Sequence, residues 1–127
     1  MIRWVALLVL VSFPAMAGPC DALGGSEMIR AELYFGRAHV PDREWVDFLV
    51  SSVTPRFPDG LTAVDGRGQW RDPRTQRIGR EASTVLVIVA PMADDLRARL
   101  DAVRGDYKAR FHQQSVGLVT EVVCAGF

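Results

Sequence analysis

Four strand-like runs and two amphipathic helical stretches, in the order β-α-β-β-α-β, predict an α+β domain of the ferredoxin-like split βαβ type. Three observations carry the prediction. Residues 85–89, Val85-Leu86-Val87-Ile88-Val89, are apolar on both faces, as a central strand requires. Trp45, Phe48, Leu49, Ser52 and Val53 recur at helical spacing, as do Leu96, Leu100, Val103, Tyr107 and Phe111. The two cysteines, Cys20 and Cys124, stand at opposite ends of the domain, and the expected antiparallel strand order 4-1-3-2 brings those ends together.

In chain order, residues 1–17 have a positive start, an apolar run from Trp4 to Phe13 and a small-x-small ending at Ala17. That pattern is a secretory signal peptide cleaved after Ala17; the apolar run is short for a bilayer span. The expected localisation is secreted or periplasmic, with no membrane attachment after cleavage. Residues 18–28 are glycine-bearing and weakly patterned, a leader held by Cys20, and residues 29–127 form the single domain. In an exported chain the cysteine pair is expected to form a disulfide. Closing a loop that long is worth up to ~4.7 kcal/mol in the chain-entropy model.

The first strand spans residues 29–36. Pro41, Asp42 and Glu44 open the first helix, which ends near Val53 because Pro55 and Pro58 push Thr54 and Phe57 towards extended backbone. Pro58-Asp59-Gly60 is a tight turn, and Arg56 is expected to pair with Asp59. A strand follows from Leu61, with Gly66 and Gly68 marking a bulge or a close approach of other backbone. Residues 72–79 form a polar hairpin connection, residues 83–90 the third strand, residues 93–112 the second helix and residues 115–124 the last strand. Trp45, Phe48, Leu96, Leu100 and Phe111 are the expected core. The helices cover one sheet face; the other, with apolar residues on strands three and four, is expected to be covered by a second copy packed sheet to sheet, or by a ligand.

The charge pattern narrows the function. Past residue 17 there are 14 basic and 15 acidic residues, interleaved without long runs, which gives no footprint for nucleic acid or anionic lipid. Arginine outnumbers lysine 14 to 1. No CxxC, phosphate loop, dinucleotide fingerprint or nucleophile elbow is present, so no metal, no cofactor and no catalytic residue is assigned. The topology is expected to gather Arg37, His39, Gln69, Trp70 and Arg71 at one end of the sheet, with His112 arriving there and Arg56 and Asp59 at the other. Arg37, Gln69, Trp70 and Arg71, with Tyr34 on the uncovered face, are the ligand-binding candidates: forked guanidinium groups, an amide and an indole that suit a small anion or carboxylate. His39, Arg56 and Asp59 are secondary. The expected function is a non-catalytic envelope module that binds a small anionic ligand or a protein partner. The alternative is a small enzyme of the dimeric ferredoxin-like barrel type, using Tyr34 or His39 with the arginines; a closed pocket holding either residue would favour it.

Several strings occur together in order: Glu32-Leu33-Tyr34-Phe35-Gly36-Arg37, Glu44-Trp45 with Phe48-Leu49, Val53 to Thr62 (VTPRFPDGLT), Gly68-Gln69-Trp70-Arg71-Asp72, the run 85–89, and Tyr107-Lys108 with Arg110-Phe111. In these the chain resembles a family of small exported bacterial proteins grouped as a domain of unknown function. Ala82, where similar sequences tend to have proline, is a departure. The resemblance implies export and one compact domain, and implies no activity.

Overall fold

The antiparallel sheet takes shape from strands whose apolar residues alternate. The computed structural model describes residues 18–127; the signal peptide expected over residues 1–17 lies outside them. A short 3-10 turn, Asp21–Leu23, leads into β1 (Ser26–Gly36), followed by α1 (Asp42–Phe48), β2 (Thr62–Arg71), β3 (Ile78–Ala90), α2 (Leu96–Phe111) and β4 (Gly117–Ala125). The sheet order is β2-β3-β1-β4, every neighbour antiparallel. This is the ferredoxin-like arrangement expected.

On β1, Ile29, Ala31, Leu33 and Phe35 point into the core, as do Thr84, Leu86, Ile88 and Ala90 on β3. Against them pack Trp45, Phe48 and Val53 from the first helical segment and Leu96, Leu100, Val103 and Tyr107 from α2. Phe35, Trp45, Phe48, Tyr107 and Phe111 form an aromatic cluster, with Phe48 5.2 Å from Tyr107 and 6.0 Å from Phe35, ring centre to ring centre. Phe111, expected in the core, is partly buried at its edge.

Local sequence explains the ends, with three departures. After Phe48 the helix widens into a π turn, Leu49–Val53, and Thr54 N–H donates to Leu49 O at 2.9 Å. Thr54 is therefore helical (φ −56°, ψ −40°) instead of extended, because the wider turn moves the carbonyls that Pro55 would strike in a tighter helix. Second, Gly66 and Gly68 make no bulge: the register runs unbroken from Thr62 opposite Val87 to Arg71 opposite Ile78. Their bareness instead makes room for the cross-strand side chains, since a Cβ at Gly66 would lie 3.5 Å from Ser83 Oγ and one at Gly68 3.6 Å from Glu81 Cγ. Third, two strands begin early, β1 at Ser26 and β3 at Ile78.

The early start of β1 sets Glu27 opposite Cys124. The disulfide joins Cys20 to Cys124, with Cα atoms 5.1 Å apart across a separation of 104 residues. On the face away from the helices, Val85, Val87 and Val89 are half-buried. Beside them Arg30 pairs with Glu121 at 2.6 Å and with Glu32 at 3.4 Å, and Tyr34 donates to Glu32 at 2.7 Å. No described element covers this face.

Candidate functional site

β1 ends at Gly36, opposite Ser83, whereas β2 and β3 continue past it to Arg71 and Ile78. Residues 67–71 and 78–82 therefore leave the sheet as a two-stranded arm. At the ~3.3 Å rise of a strand, five rungs project on the order of 16 Å. The six-residue link closes firmly. Asp72 Oδ1 accepts from the backbone of Arg74 (2.8 Å) and Thr75 (3.0 Å), Asp72 and Arg77 bond backbone to backbone at 3.0 Å, and Gln76 takes a left-handed conformation, φ 60°. The only carboxylate in the turn is thus engaged by the turn's own amides.

The arm holds five arginines, Arg67, Arg71, Arg74, Arg77 and Arg80, against two carboxylates, Asp72 in the turn and Glu81 at the base on the face of Gly68 and Trp70. Among the described residues none of the five lies within ion-pair distance of a carboxylate. Strand alternation sorts them. Arg67, Gln69 and Arg71 share the face of Ile78, Arg80 and Ala82, the side on which Thr84 and Leu86 meet the helices. Arg80 sits opposite Gln69, donates to its Oε1 at 2.9 Å, and is diagonal to both Arg67 and Arg71. Diagonal ladder neighbours are roughly 7–8 Å apart, so three guanidinium groups are close-set on one face. Trp70 points to the other face, its indole lying over Gly79: a Cβ there would come within 2.8 Å of Nε1. Trp70 is 53% exposed.

Gln69, Trp70 and Arg71 stay together, but Arg37 does not join them, because the overrun of β2 and β3 carries the three beyond the end of β1. Arg37 folds back beneath β2 with 9% of its side chain exposed. Its terminal nitrogens donate to Asp42 Oδ1 (2.6 Å) and Thr84 Oγ1 (3.3 Å) and approach Asp65 Oδ1 at 3.6 Å; the group rests 5.0 Å above the Trp45 ring. Thr84 in turn donates to Asp65 at 2.8 Å. Arg37 Nε is buried with no partner. A cleft of about 230 Å³ opens here, but its one guanidinium faces two carboxylates, so the cleft repels an anion. Arg37 is scaffold.

The secondary candidates also separate. His39 is exposed on the loop between β1 and α1. Arg56 pairs with Asp106 at 3.0 Å and donates to Ser52 O at 2.6 Å. Asp59, its expected partner, is exposed and makes no ion pair among the described residues: α2 delivers a carboxylate where the turn does not. His112 ends α2 in a left-handed conformation, φ 53°. Tyr34 is on the open face, its pKa raised first by the hydrogen bond it donates to Glu32, which keeps it a donor at neutral pH and a poor base. Tyr107 donates to Gly36 O at 2.6 Å, and burial pushes its pKa up to about 12. Neither Tyr34 nor His39 lines the Arg37 cleft or a larger groove of about 440 Å³ beside α2. The described residues contain no cluster of three metal-ligating side chains, and no helix among them is long and apolar enough to cross a membrane.

Arg67, Arg74, Arg77 and Arg80 escaped the sequence reading because charge was balanced over the whole chain. The signal was local: five arginines within residues 67–80.

Among solved structures, the fold is similar to a phage SAM lyase in complex with S-methyl-5'-thioadenosine (TM-score 0.61, 15% identity, 77% of this chain and 88% of that one). It is also similar to a phage SAM lyase in the apo state (TM-score 0.54, 16% identity, 91% and 98%). At such identities the likeness is one of fold. The chain belongs to the family described as "Protein of unknown function (DUF3574)", whose model matches residues 30–127. No curated protein matches its sequence significantly.

Proposed function

We propose that this is an exported, non-catalytic binding module that captures an anionic envelope component through the β2–β3 arm. One observation carries the reading: five unpaired arginines project from the sheet on a closed hairpin with an exposed tryptophan among them. Close-set cations with no carboxylate partner repel one another, and together give a steep local field for phosphate or carboxylate groups. Because Asp72 already rigidifies the turn, little ordering entropy is lost on capture. The Cys20–Cys124 disulfide supports an oxidising compartment. Tyr34 is engaged as a donor and His39 lacks an orienting acid among the described residues, which argues against the acid–base alternative.

The test is binding of three probes, followed by Trp70 fluorescence: inorganic polyphosphate, a poly-glutamate peptide, and phosphatidylglycerol vesicles beside phosphatidylcholine ones. At least one anionic probe should bind, and the variant Arg67→Gln/Arg71→Gln/Arg80→Gln should lose that binding while melting normally. The probe that binds names the source of the anion. S-methyl-5'-thioadenosine, bound by the phage enzyme, is the control. Stabilisation by that nucleoside, unchanged in the arm variant and with no anion binding, would overturn the proposal.

A further inference from the structure

The two edges of the sheet are built differently. The β2 edge carries Asp65, Arg67 and Arg71 and ends in the charged arm. β4, by contrast, pairs with β1 on one side and leaves its other side unpaired over Gly117–Ala125. It has no proline and no lysine, and its one charge, Glu121, is held by Arg30. Edges left this bare are templates for another strand. Val119 and Val122 face opposite sides of the sheet and are 54% and 60% exposed. On the helix side, the groove of about 440 Å³ runs along this edge, floored by Ile29, Leu96, Leu100 and Leu118, with Met92 and Thr120 at its rim.

The groove wall indicates what fills it. Asp94, Arg97, Asp101 and Arg104 line it at intervals of three, four and three residues, so they form one stripe at the start of α2, alternating in sign. Brought against a copy of itself running the opposite way, the stripe sets Asp94 against Arg104 and Arg97 against Asp101, both pairs centred on position 99. Such a match, with unlike charges at every position, is what a two-fold interface requires. A two-fold at Thr120 on β4 fits the same arrangement: Leu118 meets Val122 on the groove side, and Val119 meets Glu121 on the other, so no like charges oppose.

We infer that β4 pairs edge to edge with β4 of a second copy of this chain, closing the groove and joining two sheets into one of eight strands. The two β2 strands then lie at opposite outer edges, seven strand spacings or roughly 33 Å apart. If the arm is the capture element, as proposed above, the pair is bivalent; the pairing itself does not depend on that reading.

The experiment is sedimentation equilibrium of the disulfide-bonded chain without ligand. The wild type should run at twice the monomer mass, and Val122→Lys, which alters a side chain already exposed in the single chain, should run at monomer mass with the far-ultraviolet circular dichroism spectrum of the folded chain. Arg97→Glu alone and Asp101→Arg alone should each be monomeric, whereas an equimolar mixture should recover the dimer, since each variant supplies the charge the other lacks. A wild type that stays monomeric up to millimolar concentration overturns the pairing. So does a dimer that survives Val122→Lys, which would place the second copy on the open sheet face, or a mixture that fails to re-pair. None of these outcomes involves an anionic probe, so this inference and the arm proposal fail separately.

Discussion

Replacing Arg37 with alanine separates scaffold from site, because Arg37 and Arg71 have the same side chain in opposite settings. The Arg37 guanidinium is buried, donates to Asp42 at 2.6 Å and to Thr84 at 3.3 Å, and covers the Trp45 ring at 5.0 Å. A hydrogen bond to a charged group contributes ~1.5–3 kcal/mol and a guanidinium over an indole ~0.5–1 kcal/mol. The ~3–5 kcal/mol typical of stranding a buried charge does not apply, because Asp42 and Asp65 are 96% and 82% exposed and rehydrate. Thr84 keeps its bond to Asp65. Arg37→Ala should therefore cost about 2–4 kcal/mol and leave anion capture intact. Arg71→Ala should cost less than ~1 kcal/mol, as exposed substitutions do, and weaken capture. Urea unfolding followed by far-ultraviolet circular dichroism measures both, with an unchanged slope confirming that the same surface unfolds. The reasoning fails if Arg37→Ala costs under ~1 kcal/mol, or if Arg71→Ala is the more destabilising of the two.

Three further outcomes follow from the core and its ties. Phe48→Ala, at the centre of the aromatic cluster, should cost ~3–5 kcal/mol in urea unfolding; a loss under ~1 kcal/mol would show that the cluster is not the core. Reducing Cys20–Cys124 releases a constraint across 104 residues and should cost ~2–5 kcal/mol, read as a drop in melting temperature; reduction without effect would mean the bond is redundant. Tyr107 has a folded pKa of about 12 against ~10 when unfolded. A raised folded value means its contribution is whole below pH ~10 and is lost as pH climbs through the folded value. Stability should fall over that window in the wild type and less steeply in Tyr107→Phe; identical slopes would remove Tyr107 from the account.

The sequence disclosed what is repeated or paired along the chain. Trp45, Phe48, Leu100 and Tyr107 show their helix faces by period, and the run 85–89 shows its central place by being apolar on both sides. Cys20 and Cys124 show the closure of β1 on β4. Features set by meetings between distant elements stayed hidden. Arg37 resembles any loop arginine until Thr84 and Asp65 arrive from two other strands. Arg56 has Asp59 three residues away yet pairs with Asp106 on α2. The arm was hidden for a different reason. Apolar alternation marks a strand only where a face is buried, and residues 67–71 and 78–82 have no layer on either side, so they carry hydrogen-bonded ladder without the pattern.

The central claim, capture of an anion by the arm, is tested most directly by the salt dependence of polyphosphate binding, read by Trp70 emission. Each phosphate contact that displaces a condensed counterion adds close to one to the slope of log affinity against log salt. The account predicts a steep negative slope for the wild type and one shallower by roughly one for Arg71→Ala, with the Arg37→Ala slope unchanged. Polyphosphate binding that is insensitive to salt, or equal slopes for wild type and Arg71→Ala, would contradict it.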